Sequence, residues 1–325
     1  MKKTVSILMA IMFVVAACAG LVGCGGDKGK YTVGICQIQP HVALDAATQG
    51  FKDALTQALG AENVKFIEQN AQGDSTACTT IVNDFVTKNV DLILANATPV
   101  LQAAANGTAK IPVLGTSVTE YGVALSIENF NGTVGGNISG TSDLAPLDEQ
   151  AQMILDIFPT AKTVGMLYCS GEPNSKYQVK EVKKFLEAKS ITVKEYPFSD
   201  SNDVVAVSKA AAEASDVLYV PTDNTAATCA EAINGAVLPT GTPVVAGEEG
   251  ICSGCGVITL SISYYDLGVK TGEMAAKILK GEAKISEMPV EYAANTTKKY
   301  NKANAQALKL DITALEAAGY VAIGE

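Results

Sequence analysis

From residue 31 onward, short apolar runs alternate with stretches whose apolar residues recur every three or four positions. The runs at 32–35, 64–68, 91–95 and 111–115 have the length and β-branched content of buried strands. Between them, residues 43–59, 75–88 and 99–107 carry the spacing of amphipathic helices. The pattern then restarts. Strands over 163–168, 191–196, 216–220 and 243–246 alternate with helices over 175–189, 203–214 and 225–237. Such alternation builds a parallel sheet with crossover helices. The two series also share local sequence. Val33-Gly34-Ile35 corresponds to Val164-Gly165-Met166, Asp91-Leu92-Ile93-Leu94 to Asp216-Val217-Leu218-Tyr219, and Ile111-Pro112-Val113 to Thr242-Pro243-Val244, at offsets of 125 to 131 residues.

One doubly wound α/β lobe therefore occurs twice. Two such lobes facing each other place the carboxyl ends of both sheets around one cleft, where open α/β sheets bind ligands. Residues 250–260 read as loop then strand, 265–281 as a helix, 288–293 as an extended run and 311–318 as a short capped helix. Crossings near 142–146, 261–264 and 288–291 give a three-strand hinge, and hinged closure is a binding motion. The expected lobes are 31–143 with 264–288, and 144–263 with 289–325.

The first 30 residues stand apart. Lys2 and Lys3 precede an apolar run at 7–15, and Leu21-Val22-Gly23-Cys24 closes it with small residues around a cysteine. This is the pattern of a signal peptide over 1–23, cut before a lipid-modified Cys24, with 24–30 as a flexible tether. Val15-Ala16-Ala17-Cys18 fits the same pattern more loosely. The mature chain is expected at the cell surface, held by lipid to the outer face of the cytoplasmic membrane.

All 24 basic residues are lysine, against 34 acids, and loss of Lys2 and Lys3 takes the net charge from −10 to −12. So acidic a chain is a poor partner for nucleic acid. Without arginine, an anion must be held by backbone amides, hydroxyls or lysine. No glycine-rich phosphate loop with lysine is present, and His41 is the single histidine. Most hydrolytic machinery is thereby excluded, and the chain is not expected to be an enzyme or to carry a cofactor or metal. Among the cysteines only Cys252 and Cys255 have suggestive spacing; a local disulfide and free thiols both remain open.

Motifs spread along the chain resemble a known family. They include Val33-Gly34-Ile35-Cys36-Gln37, His41-Val42-Ala43-Leu44-Asp45, Asn70-Ala71-Gln72-Gly73-Asp74, Asn96-Ala97-Thr98-Pro99, Val118-Thr119 and Ser142-Asp143-Leu144. Asn174-Ser175, Pro221-Thr222-Asp223-Asn224, Gly247-Glu248-Glu249-Gly250 and Tyr264-Tyr265-Asp266-Leu267-Gly268 continue the series. Together they look like the solute-binding lipoproteins of ABC importers for aromatic amino acids, tryptophan and tyrosine in particular. The resemblance implies a periplasmic-binding-protein type I fold. It also implies a monomer that captures an amino acid between its lobes and hands it to a permease driven by a separate ATPase. A branched-chain amino acid, peptide, sugar or nucleoside, or a sensor or adhesin role, would suit the same hinge.

An amino acid needs a carboxylate site, an ammonium site and a side-chain pocket. Thr98 and Pro99 open a helix after a strand, a natural anion site, and Ser142, Asn174 and Ser175 offer further donors. Asp223, with Asn224, follows a strand and suits the ammonium; Asp143 and Glu248 compete for that role. Gln37, His41, Ser117 and Tyr264 complete the expected ligand-binding set. Each has a plain structural alternative as well: helix caps at Thr98 and Asp223, a turn at Asp143, a solvated loop at Glu248, packing at Tyr264.

Overall fold

The first strand, β1 (Tyr31–Gln37), has no polar face, and every strand that flanks it is parallel to it. This is residue 31 of a computed structural model that describes residues 31–324; the expected signal peptide, the tether and Cys24 lie outside the described residues. The first lobe continues through α1 (Val42–Leu59), β2 (Val64–Asn70), α2 (Ser75–Thr87), β3 (Leu92–Asn96), α3 (Thr98–Gly107), β4 (Val113–Val118), α4 (Tyr121–Leu125) and β5 (Ile138–Ser142). With β11 (Glu291–Tyr292) these form a six-stranded parallel sheet, in the order β11-β5-β4-β3-β1-β2.

The second lobe runs α5 (Leu147–Ile157), β6 (Thr163–Cys169), α6 (Pro173–Ala188), β7 (Thr192–Phe198), α7 (Val204–Glu213) and β8 (Val217–Val220). It goes on through α8 (Asn224–Thr228), α9 (Ala230–Val237), β9 (Val244–Ala246), α10 (Glu249–Gly254) and β10 (Ile258–Ile262). After α11 (Tyr264–Leu279) and β11 come β12 (Thr296–Tyr300), α12 (Lys302–Ala307), α13 (Ile312–Ala317) and β13 (Val321–Ala322). The seven-stranded sheet is ordered β13-β12-β10-β9-β8-β6-β7, with β12 antiparallel to β10.

The chain passes between lobes at residues 143–146, at Ser263 and at 293–295. The third passage falls later than the expected 288–291. Val290 packs into the first lobe's core and β11 pairs with β5, so residues 289–292 belong to the first lobe and not the second. Residues 250–260 also differ from expectation. The Glu248 carboxylate caps the amides of Gly250 and Ile251, and that cap starts α10 despite two glycines within the helix. The helix expected over 225–237 is broken at Cys229 into α8 and α9.

Helix α11 leaves the second lobe's sheet and returns to lie along α1. Gly268 makes this possible: a Cβ there would stand 2.0 Å from the Ala47 carbonyl oxygen. A Cβ on Gly50 would stand 2.1 Å from that of Tyr265, and one on Gly272 would stand 2.6 Å from that of Phe51. The two helices therefore touch backbone to backbone, and the small residues Ala43 and Ala47 share the seam with Tyr264 and Leu267.

This contact makes a prediction about stability. Gly268→Ala should lower the urea midpoint, costing roughly 1–3 kcal/mol through overpacking. Gly235→Ala, inside α9 with open space around it, should raise stability by about 0.5–1 kcal/mol. Equal effects of the two substitutions would show that the α1–α11 seam tolerates a methyl group.

Candidate functional site

The carboxyl ends of the two sheets face one another, as doubly wound lobes require, and the loops that follow the strands supply the polar groups. Three side-chain contacts join the two sides, and a fourth, between Tyr264 and Asp143, ties two of the hinge passages together on the first lobe's side. Gln39 Nε2 donates to the Asn224 carbonyl, and His41 Nε2 lies 3.4 Å from Asn224 Oδ1. Gln178 Nε2 reaches Thr119 Oγ1 at 3.5 Å, and the Tyr264 hydroxyl donates to Asp143 Oδ2 at 3.0 Å. A cavity of about 400 Å³ opens at the rim beside the Gln39–Asn224 bridge, with Pro99 and Glu172 in its wall.

Inside this closure, buried polar atoms are left without a partner in the protein: His41 Nδ1, Ser117 Oγ, Asp143 Oδ1 and Asn174 Oδ1. Buried polar groups are almost always paired, so four such atoms on strand-end loops of both lobes define a place for a ligand. The amide of Asn174 is oriented by its neighbours. Its Nδ2 donates to Glu172 Oε2 and the Thr222 carbonyl, both at 3.1 Å, which turns Oδ1 the other way. Asn174 also lies one helical turn before Gln178, whose partner Thr119 hydrogen-bonds the Asp143 carboxylate. Asn174 and Asp143 are thus linked through Gln178 and Thr119 at one end of the cleft.

At the end of β3, Ala97 has φ 94 and ψ 157, a region that normally admits only glycine. The turn it makes starts α3 at once, with Pro99 in the first turn. Pro99 has no N–H, and the amides of Val100 and Leu101 both donate to the Ala97 carbonyl. What remains for an anion is the Thr98 amide and hydroxyl, beside Ser117 on the adjoining strand end, itself at φ 54.

The other expected residues have different work. Asp223 is not free for an ammonium. Its Oδ1 accepts from the Ala226 amide and its Oδ2 from the Cys169 amide, each at 2.7 Å, so it is the N-cap of α8. Burial, and then the nearby Glu172 carboxylate, push its proton affinity up. Asn224 is held by Glu172, through its amide at 2.9 Å and its Nδ2 at 2.7 Å, and turns Oδ1 toward His41. Ser175 is buried beside Asn174 and hydrogen-bonds the Asp223 carboxylate. Gln37 reaches the cleft end of β1, but its amide is saturated by Thr48, Asn96, Asp45 and the Gln39 carbonyl. Ser142 donates to the Thr119 carbonyl at 2.7 Å and accepts from Leu144, closing the hinge turn. Glu248 caps α10, and burial pushes it to about 7. Tyr264 is fully packed, and its hydroxyl serves Asp143.

Three residues were not anticipated: Glu172, Gln39 and Gln178. Glu172 accepts from both the backbone and the side chains of Asn224 and Thr225, a second acid at the start of one short helix. Nothing in its surrounding sequence marks that role, because its partners lie some 50 positions away. The six described cysteines are free thiols, with Cys252 and Cys255 buried in the second lobe's core.

Asp143 is the buried acid with an oxygen to spare. Loss of hydration pushes it up to about 6, while hydrogen bonds from Tyr264 and Thr119 oppose the shift. It is thus ionised at neutral pH. The His41 imidazole, whose Nδ1 edge is buried, is shifted below its usual range and stays neutral there.

The model of the ABC transporter substrate binding protein family matches residues 32–322. A tyrosine-binding protein of Clostridioides difficile is 33% identical over 309 residues, covering 89% of this chain and 88% of that protein. A solved ABC domain from Streptococcus pneumoniae in complex with L-Trp is 30% identical, covers 91% of this chain and all of its own, and superposes with a TM-score of 0.85. The ligand-free, open structure of a substrate binding protein with adhesive properties from Clostridium difficile is 36% identical, covering 90% of this chain and 99% of its own. It superposes less well, at 0.69, in keeping with the cross-lobe bonds that hold the lobes together here. The fold is the type I periplasmic-binding-protein architecture, and the chain belongs to the ABC transporter substrate binding protein family.

Proposed function

We propose that this substrate-binding protein captures an aromatic amino acid, tyrosine or tryptophan foremost, and delivers it to a permease powered by a separate ATPase. It would act as an extracytoplasmic monomer, held to the membrane by lipid on Cys24. The carrying observation is the excess of unpaired buried acceptors in a cleft with no lysine among its described polar groups. Asp143 Oδ1 and Asn174 Oδ1 suit the several N–H donors of an ammonium group. The Thr98 amide and hydroxyl, with Ser117 Oγ, suit a carboxylate one or two strands away. The relatives named above for tyrosine and L-Trp support the aromatic side chain.

Titration calorimetry of the chain from Gly25 onward should give a micromolar or tighter dissociation constant for tyrosine or tryptophan. Binding of only sugars or nucleosides would overturn the ligand while leaving the family unchanged. Asp143→Asn should weaken the amino acid roughly tenfold to a hundredfold, the worth of a hydrogen bond to a charged group. In the parent protein, affinity should fall as pH drops below about 6, because protonated Asp143 no longer attracts an ammonium. The variant should lack that fall; a matching pH profile would remove Asp143 from the ammonium site.

Asp223→Ala should instead act on the fold. Loss of the cap should cost about 1–2 kcal/mol and lower the thermal midpoint, with ligand affinity within threefold of the parent. Loss of binding in a fully folded variant would restore Asp223 to the site. For the anchor, the full chain expressed in a bacterium should partition into the detergent phase of Triton X-114. Cys24→Ser should shift it to the aqueous phase; unchanged partition would exclude lipid at that cysteine.

A further inference from the structure

We propose that His41 Nδ1 accepts a hydrogen bond from a donor carried on the ligand's ring, and so selects a phenol or an indole over a plain phenyl ring. The inference rests on the reading of the ligand as an aromatic amino acid, and it goes beyond that reading by fixing which rings the site takes.

The tautomer follows from a chain of partners. Glu172 is held as an acceptor by the Thr225 amide and hydroxyl and by the Asn224 amide. Its Oε2 also accepts from Asn224 Nδ2 at 2.7 Å, which settles the orientation of the Asn224 side chain. Asn224 Oδ1 therefore faces His41 Nε2, 3.4 Å away, and an oxygen acceptor there requires the proton on Nε2. A neutral imidazole protonated on Nε2 presents a bare lone pair on Nδ1. That atom is buried and has no partner in the protein. An unpaired buried acceptor is costly, and that cost is recovered by a ligand donor and not by a phenyl ring. Two acids, Asp45 and Glu172, lie close enough to favour a proton on the ring, but burial outweighs them and keeps the imidazole neutral.

Sheet order says which end of the ligand reaches His41. Asp143 follows β5, Ser117 is the second-last residue of β4, Thr98 lies just past β3 and His41 lies beyond β1; these strands are consecutive neighbours in the order β5-β4-β3-β1. The ends of β5 and β1 are three strand spacings apart, about 14 Å, the reach of a tyrosine-sized molecule with a hydrogen bond at each end. With the ammonium at Asp143 and the carboxylate at Thr98 and Ser117, the ring extends toward His41. Selection by a buried polar group is far sharper than selection by shape, since a site made for a hydroxyl leaves its own group unpaired when the hydroxyl is missing.

The test compares tyrosine, tryptophan and phenylalanine by calorimetry on the parent chain and on His41→Phe. The imidazole supplies no cap to α1, so its replacement removes no backbone partner. The parent should bind tyrosine at least tenfold more tightly than phenylalanine. In the variant the preference should fall to within threefold, whatever common loss the three ligands share from the missing His41–Asn224 contact. A variant that keeps the parent's preference for tyrosine over phenylalanine would overturn the proposal, as would a parent that does not distinguish the two. Failure of the parent to bind any of the three would overturn the ligand reading itself, a result seen before any variant is made. Since His41 is the only histidine in the chain, its ¹⁵N resonances give a second readout free of mutation. Nδ1 should appear unprotonated, and should shift on adding tyrosine or tryptophan but not phenylalanine. A proton on Nδ1 in the free protein would sink the idea.

Discussion

The seam between α1 and α11 is the contact on which the cleft depends. Helix α11 emerges directly from the second passage between the lobes, and its first residue, Tyr264, supports Asp143 at the first passage. Only a backbone-to-backbone approach through Gly50, Gly268 and Gly272 seats α11 deeply enough for the Tyr264 hydroxyl to reach that carboxylate. Burial of this helix pair is therefore also the positioning of an acid. Loss of the seam would take the Tyr264 hydrogen bond from the buried Asp143, a costly loss for a charge.

A second constraint is the absence of arginine. The site has to be assembled from dipoles and hydroxyls, and the backbone is bent to present them. Ala97 occupies a conformation suited to glycine, at a cost on the order of 1–3 kcal/mol, and Ser117 on the neighbouring strand has a left-handed φ. Both lie where β3 and β4 stop, so the strain is confined to the turn that aims Thr98. The surrounding sheet is buried on both faces and does not yield.

Most of the architecture was legible from periodicity, because buried parallel strands are continuous apolar runs and crossover helices show a clean stripe. The repeat of Val33-Gly34-Ile35 at Val164-Gly165-Met166 marked the doubling, and both stretches are first strands of their lobes. The failures have physical causes. Strand β5 reads Ile-Ser-Gly-Thr-Ser, polar by composition, yet it is buried because its hydroxyls pair with Thr116, Thr271 and the carbonyls of Met288 and Thr119. Strand β11 lies within the extended run expected over 288–293, but it belongs to the first lobe only through its pairing with β5, which no local pattern reveals. Within the site, residue type showed which side chains lie at strand ends but not which atoms are already engaged. Asp223 and Asp143 are both acids after a strand. Only the geometry distinguishes a carboxylate with both oxygens occupied from one with an oxygen left over.

The cross-lobe contacts made by the protein itself are few, and two of them converge on Asn224. Bonds of that number and kind, at about 1 kcal/mol each, bias the closed arrangement without locking it. Measured affinity is then the product of two quantities: the intrinsic fit of the closed cleft, and the fraction of molecules already closed. The Gln39 bridge to the Asn224 carbonyl sits on the second of these. A change at Gln39 would rescale the affinity for every ligand by one common factor and leave their ranking untouched, so the protein can be tuned to the abundance of its ligand without being taught a new one.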